Sequence, residues 1–495
     1  MERGGDEGLA TLPLLVEENS ADNHCIGVNG DGGDGSKGGH WSSVTAVIVL
    51  STAVASFGSF NCGFIRGYSS PVENELMDDL GLSLAEYSVF VSIWAFGGII
   101  ASLTTGTATD FIGRRGTMLF ADISCIIGWL LIALAKDHWL LDLGRFLTGF
   151  TAGHFTYVVP VYISEITPDN IRGGTTLTNS LMLCSGSSLI FFIGTIVSWR
   201  TLALIGMVPG LLQFIGLFFI PESPRWLAKV GQDEELEVAL QRLRGPSTNV
   251  SQEAADIKDY TATFQQLSRS RILDLFQRRY AHSLIVGVGL IVLRQFSGNN
   301  AIWCYASSIF ESADFSSGFG TRAIAILQIP ATALGLLIID KFGRRPILMV
   351  SAAGMCFSCF LAGLSFLRQD LKQWKDITPI LVLISLLIYI ATFSLGVSGV
   401  PWLVMSEIYP INIRGSAGGL VSLANWSFSV VVTYTFNYMF EWSSPEDMNV
   451  LATLLQEHSS FTLSAATVLF TARLIPETKG RTLEEIQASM TKFLE

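Results

Sequence analysis

One heptad of this chain, Arg294-Gln295-Phe296-Ser297-Gly298-Asn299-Asn300, carries hydrogen-bonding groups inside an otherwise apolar run. A planar amide both donates and accepts, and a polyhydroxylated ligand needs both. Gln295 and Asn300 lie five positions apart, roughly one and a half helical turns. They can face one cavity only where the helix breaks between them, and Ser297-Gly298 permits that break. Gln328 and Asn425 are further amides in apolar surroundings. Such groups either join two helices or line a polar interior. Trp402, after Pro401, and Phe393 offer aromatic faces that would suit the C–H surface of such a ligand; ordinary core packing is the alternative. Asp122 and His154 are titratable groups in apolar runs. Histidine titrates near neutrality, so either residue could carry a proton or simply bond a neighbouring helix. No Ser/His/Asp arrangement, phosphate loop or metal spacing is present, so neither an enzyme nor a cofactor or metal site is expected. Most cysteines lie in apolar runs without C-x-x-C spacing, which reads as free buried thiols.

These residues need a scaffold that spans a bilayer. Of 495 residues, 49% are hydrophobic and only 15% charged, with a mean hydropathy of +0.46; soluble proteins carry about 25% charge. About twelve apolar runs recur, at roughly 44–65, 87–108, 116–135, 139–163, 176–197, 201–220, 282–310, 321–339, 346–367, 378–405, 416–440 and 460–475. Each approaches the ~20 residues that cross a bilayer as a helix. The implied division is an acidic, disordered cytosolic tail (1–43), a six-helix bundle (44–220), a cytosolic helical linker (221–280), a second bundle (281–475) and a cytosolic tail (476–495). Amphipathic surface helices are expected at Glu235–Arg244, Ile257–Leu267 and Leu483–Phe493. An even number of spans puts both termini on one side. The loops on that side and the C-terminal tail hold 20 of 31 Lys and Arg; the opposite loops hold 7, Arg66 among them, so that side is read as cytosolic. The net charge of −11 gathers in the first tail and short loops and does not suggest a nucleic-acid partner. Residues 1–43 lack a secretory signal. Leu14-Leu15 could engage a sorting adaptor, with Asp6 and Glu7 upstream; an idle tail is the alternative. Asn249-Val-Ser251 falls on the cytosolic side and is expected to stay unmodified.

Three motifs occur twice. S-E-I-T-P-D-N-I-R-G at 164–173 returns as S-E-I-Y-P-I-N-I-R-G at 406–415. D-F-I-G-R-R at Asp110–Arg115 returns as D-K-F-G-R-R at Asp340–Arg345, and P-E-S-P-R-W-L at Pro221–Leu227 returns loosely as P-E-T-K-G-R-T-L at Pro476–Leu483. One order and a drifting offset mean a duplicated unit. Asp110, Arg114, Arg115, Glu165, Arg172, Glu222, Arg225, Asp340, Arg344, Arg345, Glu407 and Arg414 then suggest a charge lattice between the two halves on the cytosolic face. Exposed pairs contribute only ~0–1 kcal/mol each, which suits a switch between nearly degenerate states.

With G-x-x-x-D-x-x-G-R-R, G-R-F-L-T-G at Gly144–Gly149, S-G-x-N at Ser297–Asn300, V-P-W at Val400–Trp402 and P-E-T-K-G, the chain resembles the sugar porter family of the major facilitator superfamily over about residues 45–485. G-Y-S-S-P at Gly67–Pro71 and V-V-P-V-Y-I-S-E-I at Val158–Ile166 resemble its plant early-response-to-dehydration group. That resemblance implies an all-α membrane protein of two pseudosymmetric six-helix bundles, with a monosaccharide bound between them near the midplane. It implies sugar contacts from Gln295, Asn300, Trp402, Gln328, Asn425 and Phe393. Ser180, beside Asn179, stands where the fifth span of the family carries a sugar-binding Gln, and Arg294 replaces the first Gln of a pair. A mid-membrane cation costs on the order of 3 kcal/mol by insertion scales. Arg294 therefore either recruits an anionic sugar derivative or pairs with an internal group. Family proton symporters pair an Asp of the first span with the Arg of the fourth, here Arg145. The first-span position reads Asn61, which cannot titrate, so facilitated diffusion of a glucose-like hexose is expected, with His154 or Asp122 as the proton-coupled alternative. A sugar sensor without transport, or a carrier of inositol or a sugar acid, remains open; the short tails favour transport. The resemblance further suggests the vacuolar membrane over the plasma membrane, and a monomer is expected.

Overall fold

The structure, a computed structural model, describes residues 45–168, 172–246, 248–267, 275, 277–370, 377–409, 413–441, 464–475 and 477. The expected acidic tail with Leu14-Leu15 and the helix at 483–493 lie outside them. All described elements are helical. The first half comprises α1 (Ala46–Gly67), α2 (Ser69–Leu80), α3 (Leu84–Phe111), α4 (Gly113–Ala133), α5 (His138–Ile166), α6 (Arg172–Gly194) and α7 (Trp199–Gly216). Three short helices follow: α8 (Pro224–Val230), α9 (Asp233–Arg244) and α10 (Ser251–Leu267). The second half comprises α11 (Arg278–Phe296), α12 (Asn299–Ser312), α13 (Ser317–Phe342), α14 (Arg344–Asp370), α15 (Thr378–Leu395), α16 (Val400–Ile408), α17 (Arg414–Glu441) and α18 (Ser464–Leu474).

Nine stretches among the described residues are long and apolar enough to cross a membrane; α11 with α12, and α15 with α16, each form one such stretch. α5, α6 and α18 complete twelve. α5 falls short on hydropathy because it carries Asp142, Arg145, His154 and Glu165, all at least partly buried. The outer surface is apolar, with Phe111 at 83% and Trp139 at 74% exposure. A water-soluble fold would not leave so many large apolar side chains outside.

Local sequence sets the boundaries. Ser83 and Glu86 form a reciprocal capping box that starts α3. Asp137 accepts from the Leu140 amide to start α5, and Ser223 with Pro224 starts α8. The packing of α3 on α5 is close: a methyl group at Gly149 would sit 1.9 Å from the Trp94 carbonyl oxygen. α8–α10 bury a small core of their own from Leu227, Leu236, Leu240 and Val250.

The expected break at Ser297-Gly298 separates α11 from α12, with Gly298 at φ +90°. The tenth span is also interrupted, between Leu395 and Val400. Its counterpart in the first half, α5, runs unbroken for 29 residues with Pro160 inside it.

Candidate functional site

The break in the seventh span gathers the amides. Gln295 donates to Asn425 Oδ1 at 2.5 Å and to the Asn425 backbone oxygen at 3.1 Å. Asn300 donates to Gln295 Oε1 at 2.9 Å and to Ser429 Oγ at 2.7 Å. Asn299 donates to Asn300 Oδ1 at 3.4 Å. Ser297 supplies its backbone oxygen to the Tyr389 hydroxyl at 2.8 Å, and Tyr389 stacks on Phe393 with ring centres 6.3 Å apart. Three residues singled out by type and spacing thus meet in one cluster where α11, α12 and α17 join.

Two arginines enter the same cluster. Arg294 donates to Asn425 Oδ1 and to the Val397 backbone oxygen, both at 3.2 Å, and lies over the Phe393 ring at 5.6 Å. Arg66 was counted above with the loop cations. The structure instead places it in the last turn of α1, over the Trp303 ring at 5.2 Å and donating to Asn300 Oδ1 at 3.4 Å. The end of an apolar run looks like a flank from sequence alone, which is why this residue was missed.

Other expected ligand contacts sit apart from these bonds. Gln328 accepts from Ser188 across the two halves at 3.4 Å. Asn179 accepts from Ser59 within the first half, with half-buried Ser180 next to it. Trp402 is partly buried at the start of α16, against the core. Trp426 packs edge-on to Trp94 of α3 at 5.2 Å and joins the halves as a helix contact.

The expected pairing of Asn61 with Arg145 is corrected. Asn61 donates to Cys125 Sγ at 3.1 Å. Arg145 donates to Ser69 Oγ at 2.6 Å and to the Ile65 backbone oxygen at 2.7 Å, and lies among the Tyr68, Phe90 and Trp94 rings. Ser69, at the start of α2, is the residue that faces this arginine, and a hydroxyl does not ionise near neutrality. Asp122 is fully buried and both its carboxyl oxygens lack a hydrogen-bond partner. His154 Nδ1 bonds the Phe150 backbone oxygen at 3.0 Å, its Nε2 has no partner, and the ring packs against Phe120 and Phe150.

The charge lattice is corrected in its layout. Among the described residues the pairs run within each half, and the two halves repeat one arrangement. Arg114 grips Glu165 through two bonds, at 2.8 and 2.9 Å. Arg344 grips Glu407 at 3.2 and 2.9 Å. Glu222 accepts from the Arg114 and Arg115 amides, each at 3.1 Å, and so caps α4. Glu477 caps α14 in the same way, accepting from the Arg344 and Arg345 amides at 3.1 and 3.3 Å. Gly113 and Gly343 precede these amides at φ +78° and +87°. Glu477 was missed as a partner, although the repeated P-E pair marks it. Burial holds the Glu222 carboxyl above its usual range, opposed by the three backbone amides it accepts from. Arg225 lies over Tyr260 at 5.4 Å, and Lys229 pairs with Asp110 at 2.7 Å. The side chains of Arg172, Asp340 and Arg414 lie outside the described residues.

At the opposite end, α2 closes against α12. Ser70 and Ser307 hydroxyls lie 3.1 Å apart, Asn74 donates to both Glu311 carboxyl oxygens at 3.0 and 2.9 Å, and Glu73 accepts from Ser308.

Twelve spans in two halves that repeat the same corner, with amides gathered at a broken helix between them, define a membrane carrier. The family model for "Sugar (and other) transporter" matches residues 44–490, and the chain belongs to the sugar porter family of the major facilitator superfamily. It is similar to plant ERD6-like members: 46% identical over 452 residues to Sugar transporter ESL1 of Arabidopsis thaliana, covering 91% of this chain and 94% of that protein. It is 47% identical over 447 residues to Sugar transporter ERD6-like 17 of the same plant, covering 90% and 92%. Among solved structures, the proton:xylose symporter XylE bound to 6-bromo-6-deoxy-D-glucose matches with a TM-score of 0.74 at 25% identity, over 90% of this chain and 99% of that one. The inward-open conformation of XylE from E. coli also gives 0.74 at 25% identity, over 89% and 99%.

Proposed function

We propose that this chain carries a monosaccharide across the membrane by alternating access, with a hexose skeleton bound at Gln295, Asn300 and Asn425 and flanked by Phe393 and Trp402. The observation that carries the reading is the amide cluster at the broken seventh span, where α11, α12 and α17 meet. Gln328, Asn179 and Ser180 are assigned here as secondary contacts. The α8–α10 end and both tails are placed in the cytosol, by the excess of Lys and Arg there. The Arg114–Glu165 and Arg344–Glu407 corners stiffen each half at that end, while the α2–α12 contacts close the other. The vacuolar membrane is the proposed location. Facilitated diffusion fits Ser69 in front of Arg145, since neither residue exchanges a proton near neutrality. Proton coupling is the second reading, favoured by the unpartnered carboxyl of Asp122.

The test is counterflow in liposomes across glucose, fructose and inositol, with and without a pH gradient. Asn300→Ala removes the amide that ties Gln295 to Ser429 in the cluster; with one or two bonds to the sugar lost at ~0.5–1.5 kcal/mol each, exchange falls roughly tenfold. Undiminished exchange by Asn300→Ala refutes the placement of the site. Uphill uptake driven by the gradient and lost in Asp122→Asn replaces the uniport reading with the second.

A further inference from the structure

The two arginines at the amide cluster come from opposite halves, Arg66 from α1 and Arg294 from α11. Arg66 donates to Asn300 and Arg294 to Asn425, and Gln295 bonds both of those residues. Neither joins an ion pair among the described residues. Their partners are an aromatic face each, amide oxygens and one backbone oxygen. A cation inside a membrane span without a counter-charge is costly even when only partly buried.

An amide oxygen has two lone pairs. Asn300 Oδ1 already accepts from Arg66 and Asn299, and Asn425 Oδ1 from Arg294 and Gln295. The acceptors of the cluster are therefore largely filled by its own donors, while Arg66 Nε has no partner. What remains to meet a ligand is chiefly guanidinium N–H, because the Gln295 and Asn300 amide hydrogens are also spent within the cluster. Arg145 shows the contrast. It too lacks an acidic partner, but it is sealed at 0% exposure within the first half. Arg66 and Arg294 are only partly buried.

We infer that the ligand is an anionic monosaccharide, a sugar acid whose carboxylate lies between Arg66 and Arg294 while its hydroxyls meet the amides. This rests on the transport reading and narrows its substrate. Guanidinium–carboxylate bonds are roughly twice as strong as neutral ones. They also supply the counter-charge that the described residues lack.

The experiment is counterflow by reconstituted protein with glucuronate and with glucose, alongside Arg294→Gln and Arg294→Lys. The wild type should exchange glucuronate at least ~tenfold better than glucose, equivalent to about 1.4 kcal/mol. Arg294→Gln should reverse that preference, and Arg294→Lys should keep it at a lower rate. Because a variant could misfold, the thermal midpoint of solubilised wild type is read with each sugar; glucuronate should raise it and equimolar glucose should not. Glucose exchange without glucuronate exchange, or equal loss of both in Arg294→Gln with no shift by glucuronate, overturns the inference and leaves the transport reading standing. Exchange of no sugar at all overturns both.

Discussion

Glu73 should make closure of the α2 end sensitive to pH. Its carboxyl is 6% exposed on α2, between the candidate spans Ala46–Gly67 and Leu84–Phe111. Burial pushes it from 4.5 up to about 7; the bond from Ser308 opposes the shift and Glu311 adds to it. Tyr87 of α3 and Tyr305 and Cys304 of α12 are the other ionisable groups that feel its charge. In the open state the same carboxyl, returned to water, titrates near its ordinary 4.5. The sign follows from which state binds the proton more tightly. Below 4.5 both states are protonated and closure has no penalty. Between 4.5 and about 7 the closed state must take up a proton or bury a charge. Above 7 the penalty is complete. At 1.36 kcal/mol per pH unit it reaches about 3 kcal/mol, on the order of a hundredfold in the closed-to-open ratio. The assay is thiol labelling of a cysteine placed at Ser307, in solubilised protein with the same buffer throughout. Labelling should rise from pH 5 to pH 8 in the wild type beyond the reagent's own pH response. It should lose that extra rise in Glu73→Gln, which is neutral at every pH. The same extra rise in both proteins would refute the reasoning.

Two further outcomes follow from the geometry. Ser69→Asp places a carboxylate against Arg145, within the 2.6 Å now bridged by the hydroxyl. Uptake should then become drivable by a proton gradient, measured as uphill accumulation in liposomes; continued indifference to the gradient would disprove the role given to Ser69. Gly113→Ala meets both a left-handed φ of +78° and a contact of 2.5 Å to the Glu222 carboxyl, so a loss of about 1–3 kcal/mol is expected. A clear drop in the thermal midpoint would show it, and an unchanged midpoint would contradict it.

The parts of the site readable in the sequence were those with a local cause. Ser297-Gly298 broke the helix because a glycine at positive φ can end one helix and start the next. That Arg114, Glu165, Arg344 and Glu407 share one kind of corner was readable because each motif recurs; their pairing within each half was not. What failed were assignments needing rotation or depth along a helix. Asn61 lies in α1 and Ser69 opens α2, so the residue types alone could not tell which faced Arg145. Arg66 resembled a flanking cation until α2 was seen to carry the chain onward past it. The lattice was expected to bridge the halves because charges at one level of the membrane look alike in sequence. Only coordinates separate pairs inside a bundle from pairs between bundles.

The two unequal counterparts, unbroken α5 and the interrupted pair α15–α16, make the molecule lopsided as a machine. α5 is locked to α3 along a contact too tight for a methyl group, so that side moves as one beam. The span with Trp402 has an elbow at Gly396–Gly399, between the ends of α15 and α16, where the angle between the two helices can change without unwinding either. In the proposed transport cycle, fine adjustment around a cargo belongs to the interrupted side, and the other serves as the anvil against which it works.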